Sequence, residues 1–226
     1  MKQLFFTLAL LLFSYTAFAQ NDYNYDWPRY SYYAESNKLV KDKPVAVLFG
    51  DSITRNWYKN DSQWLEDNGF IGRGISGQTT MHMLARFRPD VLELNPEYVV
   101  ILAGINDIAC NNGYIKLENI FKNILSMVEL AIVHGIRPVL CTLTPAEEIG
   151  WRKELGDPRP RIDSLNTMIV NYATDNNIPV ADYHSAMKTA DGAMDPAYIT
   201  DAVHPNLAGY KVMEKVLLEV LAKARK

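Results

Sequence analysis

The sequence predicts an α/β fold in which a parallel sheet is covered by helices on both faces. Short apolar runs at residues 45–49, 98–103 and 136–143 are rich in β-formers and lack polar alternation, as strands buried on both faces do. They alternate with longer segments at helical period across short connections, which demands right-handed crossovers between parallel strands. Proline and glycine punctuate the runs: Pro44 and Gly50 bound the first, and Pro96 and Gly104 bound the one at 98–103.

The N-terminus stands apart from that pattern. Lys2 leads an apolar run over residues 4–13, and Ala17-Phe18-Ala19 has the small-x-small form of a signal-peptidase site. Residues 1–19 are therefore expected to be a signal peptide cleaved after Ala19, leaving a single domain at 20–226 in a secreted or periplasmic location. The run is too short to span a bilayer, and no cysteine follows Ala19 to carry a lipid, so no membrane anchor is expected. The net charge of −3 becomes −4 once Lys2 is gone, which offers nothing to nucleic acid or an anionic membrane. Binding should be local and pocket-based, with oligomeric state left open. Cys110 and Cys141 allow one disulfide at most, and the reading favours two unpaired thiols. Their spacing fits neither a zinc site nor a CxxC motif, so no metal and no cofactor are expected.

Taken in order, residues 21–33 hold five tyrosines and Trp27, a composition suited to a strap across the domain or to a sugar-stacking platform. The strand at 45–49 exits through Gly50 to Ser52, which is either a nucleophile at the ligand-binding edge of the sheet or the N-cap of the next helix. That helix, 55–68, carries Trp57, Tyr58, Trp64 and Leu65 and stops at Gly69. Phe70 and Ile71 start a short strand ending in the loop Arg73-Gly74-Ile75-Ser76-Gly77-Gln78-Thr79, whose glycines can leave backbone N–H groups bare. Thr79 or Thr80 caps a helix with Met81, Leu84, Ala85 and Phe87 inward. The strand at 98–103 exits through Gly104-Ile105-Asn106-Asp107. Helix 117–134 ends at Gly135, with His134 beside the last carbonyls. Strand 136–143, a loop with Trp151, helix 162–176 and strand 178–183 follow, and Asn206 caps a last helix over 207–224.

Four polar signatures thus fall beyond the carboxyl ends of different elements: Gly50-Asp51-Ser52, Gly74, Gly104-x-Asn106-Asp107 and Asp201-x-x-His204. In this order the chain resembles the SGNH (GDSL) esterase and acylhydrolase superfamily over nearly its whole mature length. The resemblance implies a three-layer α/β/α flavodoxin-like fold with strand order 2-1-3-4-5. It further implies that Ser52 is the nucleophile, His204 the general base and Asp201 its orienting carboxylate. The N–H groups of Ser52 and Gly74 and the amide of Asn106 would bind the oxyanion. Physical reasoning agrees: an Asp and a His three apart on a loop can face each other, and Asn106 donates without neutralising an imidazolium. Gly74, lacking Cβ, would let substrate near its N–H. Asp182 with His184 is the rival dyad, His82 reads as structural or substrate-lining, and Asp51 and Asp107 as carboxylates that order loops.

The expected activity is that of a serine esterase hydrolysing short-chain, above all acetyl, esters on carbohydrate. The alternatives are a lipid acylhydrolase resembling lysophospholipases or platelet-activating-factor acetylhydrolases, an acyltransferase with the same triad, and a binding module on a dead scaffold.

Overall fold

The computed structural model describes residues 25–225, so the expected signal peptide lies outside the described residues. Five parallel strands form one sheet in the order β2-β1-β3-β4-β5: β1 (Ala46–Gly50), β2 (Phe70–Gly74), β3 (Tyr98–Leu102), β4 (Arg137–Cys141) and β5 (Val180–Ala181). Every residue of β1 and β3 is buried, as their unbroken apolar runs require. Gly50 pairs with Gly74 on one side and Leu102 on the other, so three strands end level at one edge.

The helices are α1 (Ala34–Lys38), α2 (Ser52–Asp67), α3 (Thr80–Phe87), α4 (Ile105–Ile108), α5 (Leu117–Val133), α6 (Arg159–Asp175), α7 (Tyr183–Met187) and α8 (Leu207–Ala224). α8 packs on both α2 and α7, whereas α5 packs on both α3 and α6, which gives the two outer layers. Asn206 caps α8 as its side chain predicts, accepting from the N–H of Gly209 at 3.0 Å. His134 ends α5 with its Nδ1 2.8 Å from the carbonyl of Leu130. The fifth strand is far shorter than residues 178–183. Asp182 accepts from the N–H of Ser185 at 3.1 Å, and this cap turns the chain into α7 at once.

The inward face of α3 differs from the pattern in the sequence. α3 buries Thr80, Met83, Arg86 and Phe87, whereas Met81 is 46% exposed. Trp57 is in the core, stacked on Trp64 at 5.5 Å, with its indole N–H donating to Glu214 at 3.2 Å. The aromatic N-terminal segment is a strap wherever it is described. Tyr30 donates to the carbonyl of Ala85 at 3.0 Å, Tyr33 to that of Gly74 at 2.5 Å, and Trp27 sets its ring against His82. Cys110 and Cys141 are buried free thiols.

Candidate active site

The strand edge positions the first reactive group. Gly50 ends β1 where a Cβ would sit 2.9 Å from the carbonyl oxygen of Leu102 and closer still to Thr54, so only glycine lets the chain turn there. Asp51, not Ser52, is the N-cap of α2: its carboxylate accepts from the N–H of Ile53 at 3.0 Å. Ser52 is the first helical residue and its hydroxyl is left free of capping. It lies 2.8 Å from Nε2 of His204.

His204 owes its orientation to Asp201. The Asp201 carboxylate accepts the backbone N–H groups of Val203 at 2.8 Å and His204 at 2.9 Å, which folds the segment into a tight turn. That turn brings Nδ1 of His204 within 2.9 Å of Asp201 Oδ2. The proton is assigned to Nδ1, since Nδ1 faces a carboxylate, and this leaves the Nε2 lone pair to accept from Ser52. Burial acts to raise the Asp201 pKa, but the bonds from the His204 and Val203 N–H groups and the imidazole outweigh it and hold the carboxyl below its usual range.

Asn106 enters from α4. It is buried, donates one amide proton to the carbonyl of Gln78 at 3.1 Å and accepts from the Asn111 amide at 2.7 Å. Asn111 in turn accepts the indole N–H of Trp151 at 2.9 Å. Asn111 and Trp151 therefore fix the Asn106 amide and leave its second proton for the cleft. No motif pointed to Asn111.

Ser52, Asn106, Asp201 and His204 share an open cleft of about 590 Å³, lined also by Asn56, Lys59, Asn60, Ser76, Gly77, Asn111, Trp151, Thr200 and Pro205. Gly74, expected to offer an N–H to the oxyanion, is not among these residues. A Cβ at Gly74 would meet the backbone of α2 at 2.3 Å from Arg55 N and 2.5 Å from Asp51 O, so helix packing is what demands glycine there. Gly77, in the same loop, borders the cleft with φ +79° and open space where a Cβ would be. Its N–H has no acceptor among the described residues.

This difference is testable. Gly74→Ala should destabilise the fold by about 1–3 kcal/mol through overpacking. Gly77→Ala has room for its methyl but must hold φ +79°, so it should cost about 1 kcal/mol of stability and, at temperatures where the fold survives, lower kcat. A Gly74→Ala protein that melts like the parent but has lost its activity would return the donor role to Gly74.

The remaining candidates have structural surroundings. His184 faces Asp163 at 3.5 Å and does not line the cleft, while its supposed partner Asp182 caps α7. His82 makes the capping box of α3, with Nδ1 2.8 Å from the Thr79 hydroxyl. Asp107 accepts both the N–H and the hydroxyl of Thr80 at 2.8 and 2.7 Å, pinning α3 to the exit of β3. Burial pushes both Asp51 and Asp107 up to about 6, against the hydrogen bonds that each accepts. Among the described residues no three His, Cys, Asp or Glu side chains converge to hold a metal ion.

With that geometry in place, comparison with known proteins is decisive for the family. The sequence profile of the GDSL-like lipase/acylhydrolase family matches residues 48–212. The chain belongs to that family. It is a carboxylic ester hydrolase. Among solved structures it is similar to a GDSL-like lipase from Bacteroides thetaiotaomicron VPI-5482, at 40% identity and a TM-score of 0.84, covering 88% of this chain and 100% of that one. The uncharacterized lipoprotein YqeF of Bacillus subtilis (strain 168) is 30% identical, covering 68% of this chain and 76% of the relative. The acetylxylan esterase of Geobacillus stearothermophilus is 25% identical, covering 66% and 69%. The two-one-three-four-five strand order matches the fold of the GDSL structures, as the four sequence blocks led one to expect.

Proposed function

We propose that this GDSL hydrolase is an exported serine esterase that removes short acyl groups, acetyl above all, from carbohydrate. The observation that carries the reading is the chain of contacts from Ser52 through His204 to Asp201, opening onto a cleft walled mainly by polar side chains. Ser52 Oγ attacks the ester carbonyl as its proton passes to His204 Nε2, and Asp201 stabilises the imidazolium that forms. The oxyanion is held by the N–H groups of Ser52 and Gly77 and by the second amide proton of Asn106. Collapse of the tetrahedral species expels the alcohol, which takes the proton from His204. Water, deprotonated by the same imidazole, then hydrolyses the acyl-enzyme and frees Ser52.

Substrate class follows from the walls. Asn56, Asn60, Asn111 and Thr200 offer hydrogen bonds suited to sugar hydroxyls, and Trp151, 43% exposed and 6.1 Å from the His204 ring, offers an aromatic face beside the reacting centre. Among the described side chains lining the cleft, only Trp151 and Pro205 are apolar, which offers little to an extended acyl chain. The name of the acetylxylan esterase relative specifies an acetylated sugar polymer, in line with this reading. Export is supported by the pattern of residues 1–19 alone.

Hydrolysis of p-nitrophenyl esters should fall steeply from acetyl and butyryl to longer chains, and acetylated xylo-oligosaccharides should release acetate without added metal. Rates that peak at octanoyl or beyond, or a strong preference for lysophospholipid, would instead make the chain a lipid acylhydrolase.

A further inference from the structure

Helix α2 carries the nucleophile at its first position and then runs outward along the cleft. Ser52, Asn56, Lys59 and Asn60, spaced four, seven and eight residues from the start, form one stripe facing that cleft. The neighbouring stripe, Arg55 and Tyr58, faces a second groove of about 420 Å³ that Tyr32 and Tyr33 of the strap close from the far side. Asn56 and Lys59 border both cavities, so the groove adjoins the cleft across a ridge of α2. With a rise of 1.5 Å per residue, Lys59 stands about 10 Å along the helix from Ser52.

We propose that this groove is a second glycan subsite, one that takes a sugar unit bearing a negative charge, either a uronate carboxylate or a sulfate ester. The inference rests on the carbohydrate reading of the catalytic cleft. Its aromatic walls are held in place. The Tyr58 ring lies over Gly72, where a Cβ would come within 2.6 Å of it, and Tyr33 is fixed by its bond to Gly74 and by the Arg73 guanidinium 4.7 Å from its centroid. Tyr58 and Tyr32 remain 41% and 42% exposed, leaving ring surface for a sugar to stack on.

The charge at this place is of one sign. Arg55 and Lys59 are exposed and have no carboxylate partner among the described residues. Among the described residues, no acidic side chain lines the groove. Arg55 is aimed by a 3.0 Å bond to the Ser76 hydroxyl, on the loop that leads to Gly77. In a chain with a net charge of −3, two unpaired cations beside an aromatic concavity make a local attraction for anions that the molecule as a whole does not have.

The test is calorimetric titration of the full-length Ser52→Ala protein with three unacetylated tetrasaccharides: galacturonate, sulfated and neutral xylose. Because no acyl group is present, the outcome does not depend on hydrolysis, and failure of the esterase reading would appear separately as p-nitrophenyl acetate left intact by the parent protein. At least one anionic oligomer should bind roughly tenfold more tightly than the neutral one, the scale expected of two partly exposed ion pairs. Whichever anionic oligomer binds more tightly identifies the charged group. Adding Arg55→Gln and Lys59→Gln should abolish the preference, Arg55→Lys with Lys59→Arg should keep most of it, and high salt should weaken it. Equal affinity for charged and neutral oligomers, or a preference that survives loss of both cations, would overturn the proposal.

Discussion

Ser52→Ala should lower the hydrolysis of p-nitrophenyl acetate by about 10⁴- to 10⁶-fold, and His204→Ala should do nearly the same, since the two act as one unit in acylation. Ser52 Oγ and His204 Nε2 are 2.8 Å apart. Removing either ends the proton transfer that makes the hydroxyl a nucleophile, so the double variant should lose little more than either single one. Stability should be spared. The cap of α2 is supplied by Asp51, so the Ser52 hydroxyl satisfies no helix N–H, and melting of Ser52→Ala should match that of the parent. His184→Ala serves as the counter-arm: its ring lies against Asp163, and its loss should leave turnover intact. Activity that survives His204→Ala but disappears in His184→Ala would hand the base to the rival histidine.

Much of this arrangement is legible in the sequence because it is local. Buried strands such as β1 and β3 declare themselves by unbroken apolar runs between Pro and Gly, and the Asp201 to His204 turn by a spacing that lets two side chains meet. What escapes is what depends on contacts between distant segments. Gly74 and Gly77 sit three residues apart in one loop, and only the approach of α2 shows which glycine is crowded by backbone and which faces open space. Asn111 looks like any loop asparagine until Trp151, 40 residues on, reaches it. The helical spacing of Trp57 suits the core, but Glu214, which accepts its indole N–H there, lies 157 residues away and no local pattern names it. Arg86 is the extreme case: arginine is a residue type that is mostly exposed, yet this one is completely buried.

Replacing Arg86 by Met should destabilise the protein by about 3–5 kcal/mol, the usual cost of leaving one member of a buried ion pair without its partner. The guanidinium donates to Asp90 at 2.9 Å, to the side chain of Gln78 at 2.5 Å, and to the carbonyls of Arg73 and Gly50 at 3.0 Å each. It also lies 4.3 Å above the centre of the Phe49 ring. Burial lowers its pKa, and the Asp90 carboxylate beside it opposes that shift. Methionine fills most of the volume yet removes the donor of the Gln78 side-chain carbonyl and leaves the Asp90 carboxylate only the Asn37 amide, whereas the Gly50 carbonyl keeps the N–H of Ile75. For a chain of this length the loss should appear as a fall in melting temperature of about 6–20 °C. Activity should suffer at temperatures where the fold survives. Gly50 precedes the Asp51-Ser52 turn, and Gln78 supplies the carbonyl that holds Asn106, so Arg86 ties the strand that leads to Ser52 to the Asn106 side of the cleft. The expected signature is a lower kcat for p-nitrophenyl acetate with KM little changed. Adding Asp90→Asn to Arg86→Met should recover part of the stability by removing the stranded charge. A single variant that unfolds within 2 °C of the parent would show that Arg86 does not brace the site.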